Sequence, residues 1–322
     1  MTLGDCYNVT AFTLLGLTED LELQVRVGVL LIFAYVIIFL GNFTVIAIFS
    51  ADSHLHSPMY IFLFNLSIID IASTSNILPK LFNMLFTKHN VISFAECITQ
   101  MYFFLSLVVT ELLLLSAMAY DRYVAICHPL NYVVIMSFTS CAGLSIASWV
   151  VGFLDPIGHT VLIAKMYFWS DRPIDHFFCD VSPLLLITCS DISMVEMLDY
   201  IDGFLVAFSS FLLILVSYIF IISNIMKIKS AEGKHKAFST CTSHLTCVII
   251  YYGTMLCLHI KPTSSYYPKL DKLVALVYVV LVPMLNPFIY CLKNKDIKKS
   301  LVNFKINCFR KTLWLNWTFL YI

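Results

Sequence analysis

The sequence predicts an all-α membrane protein with seven transmembrane helices, and two observations carry this prediction. Of the 322 residues, 60% are hydrophobic and only 12% are charged, whereas a soluble domain carries about 25% charged residues. The apolar excess is divided among seven stretches, each long enough to cross about 30 Å of hydrocarbon as a helix. The formal net charge is +0, so composition gives no reason to expect a nucleic-acid partner.

The predicted seven-helix bundle occupies residues 25–292 and follows an N-terminal segment, 1–24. A tail, 293–322, follows the bundle, and we expect it to contain a short amphipathic helix. Lys and Arg are in excess on the side that holds the tail and the loop between helices 5 and 6. This side is therefore cytoplasmic and the N-terminus is extracellular. In chain order, helices 1 to 7 are predicted near residues 25–50, 58–84, 97–125, 139–163, 198–226, 237–260 and 272–292.

One glycosylation sequon lies on the extracellular side of this topology, at Asn8-Val9-Thr10. Chance is the competing explanation, because three further sequons begin at Asn42, Asn65 and Asn316. Those three lie inside predicted helices or on the cytoplasmic side, where glycosylation does not occur. We therefore expect the carbohydrate on Asn8.

Several motifs resemble those of one receptor family. The sequence MAYDRYVAIC, residues 118–127, ends helix 3, KAFSTC, residues 236–241, opens helix 6, and PMLNPFIY, residues 283–290, ends helix 7. These motifs, together with LHSPMY at 55–60, resemble those of the odorant receptors, a family of rhodopsin-like G-protein-coupled receptors. The resemblance runs from about residue 12 to about residue 301.

The resemblance implies a function as well as a fold. Such a receptor binds a small volatile organic molecule in the outer half of the bundle and activates a stimulatory heterotrimeric G protein, which raises cAMP. It resides in the plasma membrane with the lipid bilayer around it, is not an enzyme and uses no cofactor. A rhodopsin-like receptor for a non-odorant metabolite outside the nose is the open alternative.

Two acidic residues fall at one depth inside the membrane. Asp70 lies roughly 18 Å and Glu111 roughly 16 Å from the inner face at 1.5 Å per residue. Two carboxylates this close cannot both stay charged without a partner. Either one of them is protonated or a small cation lies between them; alternatively, they are uncoupled and face water. The resemblance implies a sodium-like site that favours the inactive state, and we expect no other metal.

The inner ends of helices 3, 5 and 7 hold the residues that the resemblance assigns to G-protein coupling. Asp121 can hold Arg122 by a charge-assisted hydrogen bond, although an arginine at a helix end can also simply extend to the interface. Pro287 interrupts the hydrogen-bond ladder of helix 7 and indicates a hinge. The assigned residues are Asp121, Arg122, Tyr123, Tyr218, Asn286, Pro287 and Tyr290.

The loop at 164–196 is long enough to indicate a function. The resemblance implies a disulfide between Cys97 and Cys179, which ties this loop to helix 3. The family usually has a further cysteine where this chain has Trp169. Cys189 therefore lacks its usual partner, and we expect it to be free or paired elsewhere, for example with Cys6.

The expected ligand cavity lies above the two carboxylates, between apolar and aromatic helix faces. Such walls suit a small, mostly apolar molecule, although ordinary helix packing explains any single residue about half the time. Asp202 would favour an amine if it faced this cavity, but we expect it to face the solvated loop, since a buried unpaired carboxylate is costly. The predicted ligand-binding residues are Met101, Phe104, Leu105, Val108, Gly203, Val206, Tyr252, Met255, His259 and Tyr278.

Two other classes of membrane protein fit the sequence poorly. A transporter is disfavoured because the chain has no inverted repeat and no matched pair of broken helices. An intramembrane enzyme is disfavoured because the paired carboxylates come with neither a His-Glu-x-x-His motif nor a nucleophile motif.

Overall fold

The fold is a bundle of seven long helices with an extracellular cap, seen in a computed structural model. Six helices in the described part of the chain are long and apolar enough to cross a membrane, and helix 6 contributes a shorter apolar stretch, His244–Cys257. The structure describes residues 6–7, 9–18, 20–52, 57–259 and 267–291, without the side chains of residues 236, 239, 240, 243, 258, 259 and 289–291.

The seven-helix prediction is confirmed, with several helices starting earlier than expected. Helix 4 has a turn after Leu154 before it continues, and a π-helical turn interrupts helix 5 at Gly203–Phe208 and helix 7 at Val277–Leu281. Helices 1 to 7 span Leu21–Ala51, Pro58–Thr87, Phe94–Cys127, Phe138–Ala164, Ser193–Lys227, Ala231–His259 and Pro268–Cys291.

Capping residues explain the early starts. Asp20 accepts hydrogen bonds from the backbone N–H groups of Glu22 and Leu23 and begins helix 1. Ser93 and Glu96 form a reciprocal capping box at helix 3, which satisfies two N–H groups that a helix end leaves free. Pro268 occupies the first turn of helix 7, where its missing N–H costs nothing. Short polar signals therefore extend each helix beyond its apolar stretch.

Helix 3 is the central element, because it packs against helices 2, 4 and 5 and most of its residues are buried. Helix 1 lies at the edge and exposes large apolar side chains such as Leu30 and Phe33. Such exposure fits a surface covered by lipid. Gly152 lets helix 4 approach helix 3 closely, since a Cβ there would stand 2.0 Å from Oγ1 of Thr110.

The extracellular cap combines the N-terminal segment with the loop after helix 4. Strand β1, Cys6–Tyr7, pairs antiparallel with β4, Phe168–Trp169, and β2, Ala11–Thr13, pairs with β3, Val91–Ser93. The cap buries Phe12, Leu14, Ile92, Phe168 and Ile174 against the top of helix 3. Residues 1–24 are predicted only to form an extracellular segment, whereas strands β1 and β2 of this segment are built into the cap.

Two disulfides hold the cap in place. Cys97 at the start of helix 3 is bonded to Cys179 in the loop, as the resemblance implies. Cys189 is bonded to Cys6, the alternative partner considered from the sequence. The backbone explains this pairing, because Cys6 lies directly across from Trp169 in the β1–β4 register. Cys6, on strand β1, therefore takes the place of the cysteine that the family usually has at position 169.

Four predicted features fall outside what the structure describes. They are Asn8, the tail 293–322 with its expected amphipathic helix, and the side chains of His259 and Tyr290.

Candidate functional site

A buried polar centre joins helices 1, 2, 3 and 7. Asp70 and Glu111 are 1% and 3% exposed and close enough for their charges to interact. The Asn286 amide donates to both carboxylate oxygens of Asp70 at 3.1 Å, and the Tyr278 hydroxyl donates to Oε2 of Glu111 at 3.2 Å. The structure thus brings all four residues together, and their burial argues against two uncoupled acids facing water.

The donor set of this centre suits a small hard cation, because its polar atoms are mainly oxygens. Asn42 donates its amide to the backbone oxygens of Ile38 and Pro283, which leaves its buried Oδ1 without a hydrogen-bond partner. Asp70 and Glu111 would therefore supply carboxylate oxygens to such a cation. A bound monovalent cation would offset one of the two negative charges, and a proton on one acid would do the same.

An aromatic column stands between the lid and the polar centre. Phe178 of the loop packs edge-on against Phe104 at a centroid distance of 4.9 Å, and Phe104 packs against Tyr278 at 5.7 Å. Tyr251 of helix 6 joins the column, with its ring 5.5 Å from Tyr278 and its hydroxyl donating to the Val108 carbonyl at 2.8 Å. The column thus reaches from the lid to the Glu111 side chain.

Several predicted ligand-binding residues lie in or beside this column. Tyr252 is buried beside Ser116 and Ser210, and its hydroxyl has no aligned hydrogen-bond partner. Leu105 and Val206 are only half-buried. The predicted residues buried around the column are Phe104, Val108, Tyr252, Met255 and Tyr278, whereas Met101 is buried in the apolar cluster beneath the cap.

Gly203 is not brought into this set. It lies on the exposed surface, and a Cβ added there would meet no atom within 4 Å. A groove of about 570 Å³ on the same surface of helix 5 is lined in part by Met197, Tyr200 and Phe204. Tyr200 and Phe204 are 73% and 66% exposed, so this groove faces outward, away from the column, and we assign no odorant to it.

The hydroxyls of Ser209 and Ser210 donate hydrogen bonds to backbone carbonyls of the π-helical turn at Gly203–Phe208. The Ser210 hydroxyl donates to the carbonyls of Val206 and Ala207. The neighbouring Ser209 donates to the carbonyls of Leu205 and Val206. A π turn disturbs the regular backbone ladder, and these hydroxyls satisfy the carbonyls involved.

The structure gives Asp202 a partner that the sequence did not indicate. Its Oδ2 lies 3.4 Å from Nδ1 of His159 on helix 4. An unpaired carboxylate was expected there because no local pattern links Asp202 to a basic residue on helix 4. His159 is the residue that sequence reasoning missed.

At the cytoplasmic end, Arg122 is held inside the protein. Its Nε donates to Oδ2 of Asp121 at 2.8 Å, and the Tyr132 hydroxyl donates to Oδ1 of Asp121 at 2.8 Å. The Arg122 side chain is only 12% exposed, so it does not extend to the interface. Burial, followed by the Asp121 carboxylate, raises the pKa of the Tyr132 phenol above its usual value, which keeps it a hydrogen-bond donor.

A second polar contact links helices 3, 5 and 6. The Tyr218 hydroxyl lies 2.8 Å from Nδ1 of His244, and Nε2 of His244 lies 3.2 Å from the Leu115 carbonyl oxygen. His244 is fully buried, and sequence reasoning gave it no role. His244 lies three residues after the KAFSTC motif that opens helix 6, and this proximity was the signal that could have found it.

Two predicted coupling residues have simpler surroundings. Tyr123 is half-buried, with its hydroxyl 3.1 Å from Nε2 of His128. Pro287 packs against helix 1, where a Cβ on Gly41 would stand 3.2 Å from its Cγ. Gly41 therefore allows the close approach of helices 1 and 7.

Comparisons with known proteins give one consistent result. Residues 31–307 match the sequence model of a family described as "Olfactory receptor". The chain is 45% identical over 300 residues to human olfactory receptor 1C1, covering 93% of this chain and 96% of that protein. It is 44% identical over 293 residues to mouse olfactory receptor 5AR1, covering 91% and 94%, and 43% identical over 303 residues to rat olfactory receptor 1468, covering 94% and 96%.

Proposed function

Because this chain belongs to the olfactory receptor family, we propose that it detects a small, mostly apolar organic odorant and activates a stimulatory G protein, which raises cAMP. The chain is a multi-pass protein of the plasma membrane and a receptor, not an enzyme. The ligand class and the kind of G protein are the parts that we propose.

The aromatic column is the observation that carries the ligand assignment. A molecule that packs among Phe178, Phe104 and Tyr278 touches the lid, helix 3 and helix 7 at once. Movement of Tyr278 then acts on Glu111 through their hydrogen bond. Binding in the outer half is thereby linked to the polar centre, where Asn286 of helix 7 holds Asp70.

The apolar walls set the expected affinity. Burial of apolar area contributes about 25 cal/mol per Å² before the cost of association is subtracted. A ligand of about ten heavy atoms therefore binds with micromolar affinity or weaker. Methionine and aromatic walls adapt to related shapes, which favours several agonists over one. The unpartnered Tyr252 hydroxyl is the best-placed group for one orienting hydrogen bond.

The test is a cAMP dose–response panel in cells that express the full chain. Neutral alcohols, aldehydes and esters are compared with matched amines, and we expect the neutral compounds to be active. Phe104→Ala should raise the effective concentration of active compounds because it removes the centre of the column. Phe103→Ala is the matched control, since the neighbouring ring is 41% exposed and should leave potency unchanged.

Two outcomes would contradict the proposal. A receptor that answers only amines would overturn the apolar-ligand assignment. Equal effects of the Phe104 and Phe103 substitutions, at matched surface density, would remove the aromatic column from the binding site.

A further inference from the structure

A group of titratable side chains joins the outer halves of helices 4 and 5. His159 is buried on helix 4, and its Nε2 lies 2.7 Å from Oδ1 of Asp199 on helix 5. Its Nδ1 lies 3.4 Å from Oδ2 of Asp202, one turn further along helix 5. Asp155, one turn before His159, also acts on it electrostatically. None of these side chains belongs to the aromatic column or to the polar centre.

The placement of the two carboxylates selects one protonation state of the ring. A neutral imidazole carries a proton on one nitrogen and a lone pair on the other. With carboxylate oxygens beside both nitrogens of His159, a neutral ring would direct its lone pair at one of them. The doubly protonated ring removes this repulsion and attracts both carboxylates.

The attraction between His159 and the two carboxylates is mainly one between charges, not one of well-aligned hydrogen bonds. Neither Nε2 of His159 nor Oδ2 of Asp202 makes a hydrogen bond of good geometry, although both contacts are within ion-pair distance. The contacts therefore depend on the positive charge of His159 more than a pair of well-directed hydrogen bonds would. Loss of the ring proton removes that charge and weakens both contacts together.

The surroundings of His159 supply no competing positive charge among the described residues. Asp155 of helix 4 and Asp199 and Asp202 of helix 5 are the charged groups that act on it. Helix 3 packs against the same segment of helix 4 and adds none. The Asp199 side chain is 46% exposed, so the cluster is not sealed from the exterior. Histidine is the side chain whose charge changes nearest to physiological pH.

We propose that His159, Asp199 and Asp202 form a proton-sensitive clamp that holds the outer half of helix 5 against helix 4, so that extracellular pH tunes agonist potency. The clamp lies directly before the π turn at Gly203–Phe208, which contains the predicted ligand-binding residue Val206. Because the clamp already holds this segment in place, ligand binding costs less conformational entropy. The statement about potency rests on the proposed function, whereas the statement about the clamp does not.

The sign of the pH effect follows from the charge of the ring. The protonated ring is paired in the folded protein, so the clamp is complete at low pH and is lost as pH rises and the ring deprotonates. We therefore expect thermal stability and agonist potency to fall together as pH rises from about 6 to about 8.5, the range that brackets histidine titration.

The first experiment measures thermal unfolding of the full-length receptor in detergent across this pH range. The melting temperature of the wild type should fall by about 2–4 °C more than that of His159→Gln, because deprotonation of the ring weakens the contacts to both Asp199 and Asp202. His128→Gln, which changes an exposed histidine at the inner end of helix 3, should keep the wild-type pH dependence. Asp202→Asn should reduce it and serves if His159→Gln fails to fold.

The second experiment measures cAMP potency at several extracellular pH values, with the most potent neutral compound of the panel as the probe. The effective concentration should rise about two- to fivefold with pH in the wild type, the factor expected for one partly exposed ion pair. In His159→Gln the effective concentration should be independent of pH and higher than that of the wild type at low pH.

The outcomes separate the clamp from the proposed function. Identical pH profiles of melting temperature for the wild type, His159→Gln and Asp202→Asn would overturn the clamp. A stability difference with a pH-independent potency would overturn the claim that the clamp tunes signalling. Absence of any response to neutral odorants would contradict the proposed function, and the melting experiment would still decide the clamp.

Discussion

Removal of one oxygen atom from Tyr132 should raise the basal activity of the receptor. The Tyr132 hydroxyl donates to the Asp121 carboxylate at 2.8 Å, and the other oxygen of that carboxylate holds Arg122. Tyr132→Phe keeps the ring and deletes this single hydrogen bond. If Arg122 must leave Asp121 during activation, every contact that orients Asp121 in this arrangement stabilises the resting state.

The size of the effect follows from the strength of the lost bond. A hydrogen bond to a charged group contributes about 1.5–3 kcal/mol, and the lower value applies because Tyr132 is only half-buried. A loss of about 1.4 kcal/mol changes a two-state equilibrium about tenfold. While the active fraction is small, basal activity should therefore rise by about that factor.

The assay is basal cAMP in cells without added odorant, normalised to surface receptor. Tyr120→Phe is the matched control, because Tyr120 lies on the exposed side of the inner end of helix 3. This substitution should leave basal activity unchanged. Basal activity of Tyr132→Phe equal to that of the wild type, at equal surface density, would refute the restraint on Asp121. Equal increases in both variants would also refute it.

Three further predictions concern the other sites. Arg122→Ala should reach the cell surface and give no cAMP response; normal signalling at equal surface density would contradict its coupling role. Glu111→Gln should abolish any influence of sodium on agonist potency, and a wild type that is indifferent to sodium would exclude the bound-cation version of the polar centre. Peptide mapping without reduction should recover Cys6 linked to Cys189, and a Cys97–Cys189 cross-link would contradict the two-disulfide cap.

Much of the fold could be predicted because membrane insertion is governed by local composition. Hydropathy located seven helices, and the distribution of Lys and Arg oriented them, since both act on one segment at a time. The depth of a residue also follows from its position along its own helix, because each residue advances 1.5 Å. For this reason Asp70 and Glu111 were placed together correctly from the chain alone.

The rotation of a helix about its axis is less well determined by sequence. Adjacent residues point about 100° apart, so a small change in packing decides which one faces the core. Tyr252 was selected for the cavity wall, while its neighbour Tyr251 is the residue that joins the aromatic column. Gly203 was also predicted to line the cavity, but the rotation of helix 5 places it on the exposed surface.

The sequence by itself determined the seven helices, their orientation and the family, because hydropathy, charge and motifs of six to ten residues are local properties of the chain. Only the tertiary structure decided the partners of isolated polar residues. His159 meets Asp202 and Cys6 meets Cys189 across tens to hundreds of residues, at distances set by how helices and strands pack. Burial makes these pairings necessary, since an unpaired buried charge is costly, but which partner satisfies each group depends on packing that no local pattern records.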